Sequence, residues 1–381
     1  MDDNSLPFDN FPQGCSATLD SYCSFDKFQK NLGSSFDLNF ISMKNYPKIL
    51  FAQLLVALLF GCCSLQAADT IVYQGKSGPG LGKHLVFISG DEEYRSEESF
   101  PMLAKILSQR HGFKCTVLFA LDTNGVINPN TNNALPGADA LDSADCVITL
   151  LRWRNYPEAQ MKHFVDAYKR GVPFVALRTS THAFKSNART YDKFGKKVFG
   201  EDWVSHWGNH KKEATRGIIE PSAKDQPILR GVTDLFGTSD VYEAYPPADA
   251  TILVRGQVLK GMNPTDEPAD RRKNRSTDKQ EQAVNDPMMA IAWTRLYKNE
   301  AGNTNRIFCT TMGAATDLTN ESLRRLVVNG VYWGLNMEVP MSADVKYVDP
   351  YNPSMYGFDG FKKGIKPEDH ALGKMEGAEA K

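Results

Sequence analysis

The stretch VPFVALRTSTHAF, residues 172–184, decides the fold. Its apolar run at 173–177 follows Gly171 and ends at a polar segment that begins with Arg178. An unbroken apolar run of this kind predicts a strand buried on both faces, as in a parallel sheet that helices cover. Because ligands in open α/β sheets bind beyond the carboxyl ends of the strands, we expect the turn after this strand to form the floor of a site.

Other apolar runs along the chain alternate with helical patterns. Helices are predicted at 96–112, 157–171 and 320–335, where apolar residues recur at helical spacing. Further strands are predicted at 84–89, 115–120, 146–151, 213–220, 251–257, 290–295 and 306–311. This alternation predicts an α/β fold, a doubly wound, flavodoxin-like and mostly parallel sheet with helices on both faces.

The amino-terminal segment has the pattern of a secretory signal peptide. Lys44 and Lys48 precede an apolar run at 49–60, and small residues follow up to Ala67. The run is shorter than the roughly 20 residues that a membrane-spanning helix needs. We therefore expect cleavage near Ala67 and a secreted or periplasmic protein. A lipoprotein signal with the lipid on Cys62 is the alternative, and we expect the membrane as a partner only through one of these signals.

The chain divides into segments of different character. Residues 1–42 are acidic and rich in Phe, which makes a poor signal n-region, so we interpret them as a spurious or disordered extension before a start at Met43. The predicted organisation is a signal peptide at 43–67, a flexible lead-in at 68–82, one domain at 83–340, and a carboxyl-terminal arm and tail at 341–381.

Composition and cysteine usage limit the class of protein. The chain has 381 residues, of which 41% are hydrophobic and 23% charged, which suits a globular protein of one large domain or two small ones. The formal net charge of −1 shows no basic surplus, and we expect no nucleic-acid partner. Cys115, Cys146 and Cys309 each lie within a predicted strand without CxxC or metal-site spacing, so we interpret them as buried free thiols.

Polar residues follow two earlier strands of the predicted sheet. Asp91 and Glu92 come after the first strand, and Arg152, Trp153 and Arg154 come after strand 146–151. Two guanidinium groups beside an indole suit a clamp for a carboxylate, a phosphate or sugar hydroxyls. Alternatively, both arginines pair with the acidic turn after the first strand, and the sequence leaves the two interpretations open.

Histidines and tryptophans gather at 203–210. The spacing of His206 and His210 would place both imidazoles on one side of a helix, where they could bind a metal. Gly208 between them argues against a stable helix, and we favour packing under a loop or a sugar-stacking surface of Trp203 and Trp207 over zinc. We expect no metal and no other cofactor.

Several phrases of the sequence resemble one known family when they are taken in order. They are ISGDEEYR, VPFVALRTSTHAF, the segment from QPILRG to DVY, and RIFCTTMGAATD followed by RRLVVNGVYWGL. Over residues 83–339 the chain resembles the ThuA-like (trehalose utilisation) family, within the class I glutamine amidotransferase-like superfamily. The resemblance implies a flavodoxin-like single domain and a link to carbohydrate metabolism. Arg178 stands where a glutamine amidotransferase would carry its cysteine, and no GxSxG or GxCxG motif is present, so we expect no thiolate chemistry.

The resemblance and the predicted strand ends together give a set of candidate residues. We predict His182 as general acid or base, tuned by Asp91, Glu92 or Asp240. Arg178 or Arg152 would stabilise developing negative charge. The residues predicted to bind substrate are Glu92, Arg152, Trp153, Thr179, Ser180, His206, Trp207, Asp240 and Tyr242. We expect an exported protein that acts on or binds a carbohydrate or a related small polar molecule, with hydrolase- or isomerase-like chemistry. The alternatives are a non-catalytic carbohydrate-binding domain and a metal-dependent hydrolase that uses His206, His210 and a carboxylate.

Overall fold

Within the part of the chain that the structure describes, ten strands form one mixed sheet, and four more strands form two separate pairs. The protein is seen in a computed structural model, which describes residues 69–185, 191 and 193–374. The strands are β1 (Thr70–Gln74), β2 (His84–Gly90), β3 (Lys114–Leu118), β4 (Cys146–Leu151), β5 (Phe174–Leu177), β6 (Ser205–His206), β7 (Thr215–Ile219), β8 (Phe236–Gly237), β9 (Tyr242–Glu243), β10 (Thr251–Val258), β11 (Arg272–Asn274), β12 (Glu281–Ala283), β13 (Met289–Lys298) and β14 (Thr304–Thr310). The α-helices are α1 (Ser96–His111), α2 (Glu158–Lys169) and α3 (Glu321–Gly334).

The centre of the large sheet is parallel. Its strands lie in the order β3-β2-β4-β5-β14, and every neighbouring pair in this part is parallel. Numbered along the chain, this is the 2-1-3-4-5 order of flavodoxin-like folds. All four residues of β5 are fully buried, as its unbroken apolar run predicts. The predicted doubly wound α/β fold is therefore confirmed.

Antiparallel strands extend the sheet on both sides. Strands β13, β10, β7 and β8 continue it beyond β14, and β1 pairs with β3 at the other edge. Strand β1 lies within residues 68–82, which the sequence predicts as a flexible lead-in, and this prediction is corrected. Tyr73 of β1 is 2% exposed, and its hydroxyl donates to the carbonyl of His370. Strand β1 is held in place because it pairs with β3 at the sheet edge and because Tyr73 contacts the carboxyl-terminal residues.

Helices cover both faces of the sheet, as predicted. Apolar residues of α1 and α3, among them Phe100, Leu107 and Leu326, belong to one core cluster with β2 and β3. Phe164 and Tyr168 of α2 belong to a second cluster on the opposite face. The doubly wound arrangement leaves the carboxyl ends of the parallel strands free of helices, and the polar turns meet there.

Two segments outside the parallel sheet pack against the rest of the domain. Residues 341–374 run along the domain, where Arg110 donates to the carbonyls of Lys346 and Tyr347. Residues 262–286 are rich in charged residues and contain the β11–β12 hairpin. Val284 in that segment is buried and accepts a hydrogen bond from the Trp207 indole at 2.8 Å. The segment is ordered by this buried anchor despite its charged composition.

The three cysteines Cys115, Cys146 and Cys309 are buried free thiols, as the sequence predicts, and burial raises the pKa of each. Among the described residues, no helix has the length and apolar character that crossing a membrane requires. The predicted signal peptide, Cys62 and the extension at 1–42 lie outside the described residues.

Candidate functional site

Turns from four strands meet at the carboxyl edge of the parallel sheet. They follow β2, β4, β5 and β14. Three of their residues, Arg95, Trp153 and Arg178, have left-handed backbone with φ of 61°, 49° and 45°. This conformation costs energy for residues other than glycine, and such strain concentrates at functional sites. The backbone geometry therefore marks the edge that the sequence predicts.

Asp91 lies inside this edge and holds two turns together. One carboxylate oxygen accepts hydrogen bonds from the amides of Glu93 and Tyr94, and the other accepts one from the Thr179 hydroxyl. Asp91 is fully buried, and burial raises its pKa against the effect of these hydrogen bonds. Both oxygens are used by the fold, so the geometry gives Asp91 a positioning role instead of the predicted catalytic one.

The hydroxyls of Thr179 and Ser180, predicted to bind substrate, are also used internally. Both residues are fully buried. The Ser180 hydroxyl donates to the carbonyl of Thr149 at 2.9 Å, while the Thr179 hydroxyl is bound to Asp91. These two side chains connect β4 and β5 with the acidic turn.

The Arg178 guanidinium is the buried centre of the site. It donates to the carbonyls of Asp240 and Thr311, both at 2.7 Å, and to a carboxylate oxygen of Asp240 at 3.0 Å. The guanidinium lies 3.7 Å from the centroid of the Tyr242 ring, which is itself 3% exposed. Arg178 therefore holds Asp240 from its buried side, and Tyr242 packs against the guanidinium. Neither side chain is open to a substrate in this conformation.

His182, the predicted acid or base, is enclosed by indoles. Its ring centroid lies 4.9 Å from that of Trp153 and 5.0 Å from that of Trp203, and the residue is 4% exposed. Burial, followed by the charges of Arg152 and Arg178, lowers its pKa well below the usual value, so the imidazole is neutral. The described residues show no hydrogen bond joining His182, Asp91 and Arg178. The predicted catalytic group of three is therefore not assembled.

Glu92 decides between the two interpretations of the arginines after β4. Its two carboxylate oxygens bind Arg152 and Arg154 separately. Arg154 is 1% exposed and also donates to the carbonyls of Pro129 and Thr131. The arginines pair with the acidic turn, and only Arg152 retains a partly exposed side chain, at 22%.

A cluster of histidines and carboxylates forms the partly open part of the site. Nδ1 of His206 lies 2.7 Å from Oδ2 of Asp240, and Nδ1 of His210 lies 3.0 Å from Oδ1. Nε2 of His210 lies 3.0 Å from a carboxylate oxygen of Glu93. The side chains of His206 and His210 are 35% and 26% exposed, whereas Asp240 is buried. We call these four residues the His–Asp cluster.

Hydrogen bonds fix the charges of this cluster. Burial alone would raise the pKa of Asp240, but Arg178 and the two imidazoles lower it strongly, so the carboxylate is ionised. Hydrogen bonds to Asp240 and then to Glu93 raise the pKa of His210 to about 9. In the absence of another ligand, His210 is therefore a cation held between two carboxylates.

The pairing of two short strands brings both histidines to Asp240 without a helix. His206 lies in β6, which pairs with β9 so that His206 is opposite Tyr242, close to Asp240 in sequence. A Cβ at Gly208 would lie 3.1 Å from the Cβ of Asp240, so the glycine permits the close approach of the two segments. As the glycine predicts, His206 and His210 do not share a helix, and a strand pair and a turn bring the same side chains together instead.

The tryptophans at this edge differ from one another. Trp153 and Trp203 are half-buried, and the Trp203 ring centroid lies 4.9 Å from that of His206. Trp207, predicted to bind substrate, is fully buried and its indole nitrogen is bound to the carbonyl of Val284, so this prediction is corrected. Alternate residues of a strand-like segment point in opposite directions, which sends Trp207 into the core and leaves His206 at the surface.

Two residues of the His–Asp cluster are not among the residues predicted for catalysis or substrate binding. Glu93 is absent from the predicted set, and His210 appears in it only as part of the metal alternative. The run Asp91, Glu92, Glu93 is the available signal for Glu93, but sequence spacing does not tell which of three adjacent carboxylates meets a histidine. A cavity of about 240 Å³ at the amino end of β14, lined by Arg306 and Trp333 among others, holds none of the candidate residues.

Fold and site together define a doubly wound, flavodoxin-like α/β protein with a histidine–carboxylate site at the carboxyl ends of its parallel strands. No protein-family model and no curated protein matches the chain. Among solved structures, a ThuA-like protein from Parabacteroides merdae is similar, with 14% sequence identity, a TM-score of 0.45, and 68% of this chain and 91% of that chain covered. A ThuA-like protein from Bacteroides uniformis is similar, with 14% identity, a TM-score of 0.41, and coverage of 68% and 92%. Both proteins are described as ThuA-like, and the motifs of this sequence resemble the same family.

Proposed function

We propose that this protein is a ThuA-like enzyme that acts on a carbohydrate or a related small polyol at the His–Asp cluster. One observation carries the proposal: the partly exposed ring of His206 is held by the buried carboxylate of Asp240 and lies beside the half-buried indole of Trp203. Hydroxyl groups of a sugar need a group that gives and takes protons, and an oriented imidazole is suited to this. The apolar face of a sugar ring needs a flat apolar partner, and an indole is suited to that.

His206, and not the predicted His182, is the proposed general acid or base. His182 is nearly enclosed, whereas the exposed edge of the His206 ring carries no hydrogen bond to another described residue. The oriented pair of Asp240 and His206 resembles the arrangement in which a buried carboxylate fixes the tautomer of a catalytic histidine. Arg178 acts one step further away, because it keeps Asp240 ionised.

Replacement of His206 by Gln is expected to lower the rate of product formation by about 10²–10⁴-fold, the usual contribution of a general acid or base. The assay follows the release of reducing sugars and the formation of keto-sugars from a panel of disaccharides, trehalose among them. The matched control is His163→Gln, because His163 is 31% exposed and its Nδ1 also lies 2.7 Å from an aspartate, Asp142. His163 lies on α2, away from the site.

Equal rates for His206→Gln and the unaltered protein would contradict the proposed role. If no carbohydrate is turned over but disaccharides quench the tryptophan fluorescence at saturating concentrations, the protein is the non-catalytic binding domain that the sequence leaves as an alternative. Circular dichroism and the melting temperature of each variant separate loss of activity from loss of fold.

We also propose that the protein is exported, on the basis of the basic, apolar and small-residue order at residues 44–67. Mass spectrometry of the amino terminus of the protein from its native cells is expected to show a chain that begins at Ala68. A lipid-modified Cys62 would support the lipoprotein alternative instead. An uncleaved chain confined to the cytosol would contradict both.

A further inference from the structure

We propose that His206, His210 and Asp240 bind a divalent transition-metal ion, with Glu93 as the outer partner of His210. The inference deepens the proposed function and rests on it only for the use of this site in turnover; with an ion bound, His206 is a ligand instead of the proton carrier. Imidazole nitrogens and carboxylate oxygens are the ligands that Zn²⁺, Mn²⁺ and Co²⁺ accept in proteins.

The spacing of the candidate ligand atoms supports this assignment. One ligand atom from each of the three residues lies within 4.8 Å of the other two. Both imidazoles present Nδ1 to the same carboxylate, at 2.7 Å and 3.0 Å. Ligand atoms that share one ion at roughly 2.1 Å lie about 3–3.4 Å from each other, so small side-chain shifts bring these three to that size.

The surroundings of the three residues are a second and independent observation. Metal-bound histidines usually donate their other ring N–H to a carboxylate, and metal-bound carboxylates are themselves hydrogen-bonded. His210 has such a partner, because its Nε2 lies 3.0 Å from Oε1 of Glu93. Asp240 has another, because Arg178 donates to Oδ1 at 3.0 Å. Glu93 is 7% exposed at its side chain, so it is a fixed partner and not a mobile surface group.

The site is also open on one side. The partly exposed imidazoles leave room for water or substrate, whereas Asp240 is buried behind them. Three protein ligands with an open position are typical of catalytic metal centres, whereas structural zinc sites are closed by four. A bound ion at this place would lower the pKa of a coordinated water or polarise a substrate oxygen.

Metal binding is measured directly on the full chain, without substrate. The protein is treated with a chelator, dialysed, and titrated with ZnCl₂, MnCl₂ and CoCl₂ in separate calorimetric experiments. We expect one ion per chain for at least one of the three metals, and visible absorption bands for bound Co²⁺. His206→Gln is expected to weaken binding by at least about 100-fold, and Glu93→Gln by about 10–100-fold. His163→Gln, which changes a matched histidine–aspartate pair on α2, is expected to bind as tightly as the unaltered protein.

The absence of stoichiometric binding of all three metals would overturn the inference, and so would equal affinities of His206→Gln and the unaltered protein. Failure of the proposed function has a different signature. If the metal binds through His206 but no carbohydrate is turned over, the metal site stands and the proposed function fails. If metal-free protein turns over a carbohydrate at the full rate, the proposed function stands with His206 itself as the proton carrier, and the metal site fails.

Discussion

Replacement of Arg178 by Met is expected to lower the free energy of unfolding by about 3–5 kcal/mol, the cost of breaking a buried ion pair by removing one partner. The guanidinium and the carboxylate of Asp240 are both 0% exposed at their side chains and lie 3.0 Å apart. Methionine fills a similar volume, but it supplies no positive charge and none of the hydrogen bonds to the carbonyls of Asp240 and Thr311. The two carbonyls would then lose this donor, and the buried carboxylate would keep only the imidazoles of His206 and His210 as partners.

Urea unfolding curves followed by circular dichroism measure this loss. The control is Arg272→Met, since Arg272 and Glu281 form an exposed pair with side chains 55% and 61% exposed, and such pairs contribute at most about 1 kcal/mol. Adding Asp240→Asn to Arg178→Met is expected to restore part of the lost stability, because it removes the buried carboxylate that has lost its guanidinium partner. A loss below about 1 kcal/mol for Arg178→Met would show that the guanidinium does not hold the centre of the site.

Replacement of Glu97 by Gln is expected to stabilise the protein near neutral pH and to flatten the dependence of its stability on pH. Glu97 lies in the first turn of α1, and neither of its carboxylate oxygens hydrogen-bonds another described residue. Burial raises the pKa of Glu97 from 4.5 to about 8. Between these two values the folded state binds a proton that the unfolded state does not, so stability falls as pH rises, by about 1.4 kcal/mol per pH unit from this group. Glutamine does not ionise, and the slope disappears.

Free energies of unfolding at pH 5, 6, 7 and 8 test this expectation. Glu98→Gln is the control, because Glu98 is equally buried but its Oε2 accepts a hydrogen bond from the amide of Ser354 at 2.8 Å and lies 3.3 Å from Lys362. That variant loses an ion pair and is expected to be destabilised. Parallel curves for Glu97→Gln and the unaltered protein would mean that Glu97 is ionised or solvated in the folded state.

At the histidine–carboxylate site, the sequence pattern predicts where the polar residues lie but not what each of them does. The polar residues after buried strands correctly indicate the carboxyl edge of the sheet, because parallel strands place their ends side by side. Their roles do not follow from that position. Asp91, Glu92 and Glu93 are consecutive, yet the first holds two turns, the second pairs with arginines and the third meets His210. The turn conformation directs each of the three carboxylates differently, and spacing alone does not encode it.

The sequence by itself determined the parallel part of the fold, the faces that the helices bury and the edge at which the polar turns meet, because burial imposes a periodicity that is visible along the chain. Only the tertiary structure decided which polar groups remain available at that edge. Arg178 and Asp91 already form hydrogen bonds with distant segments. His206 and His210 contact Asp240 because β6 pairs with β9. Such contacts join residues far apart in sequence, and their energies depend on burial and orientation that no local pattern specifies.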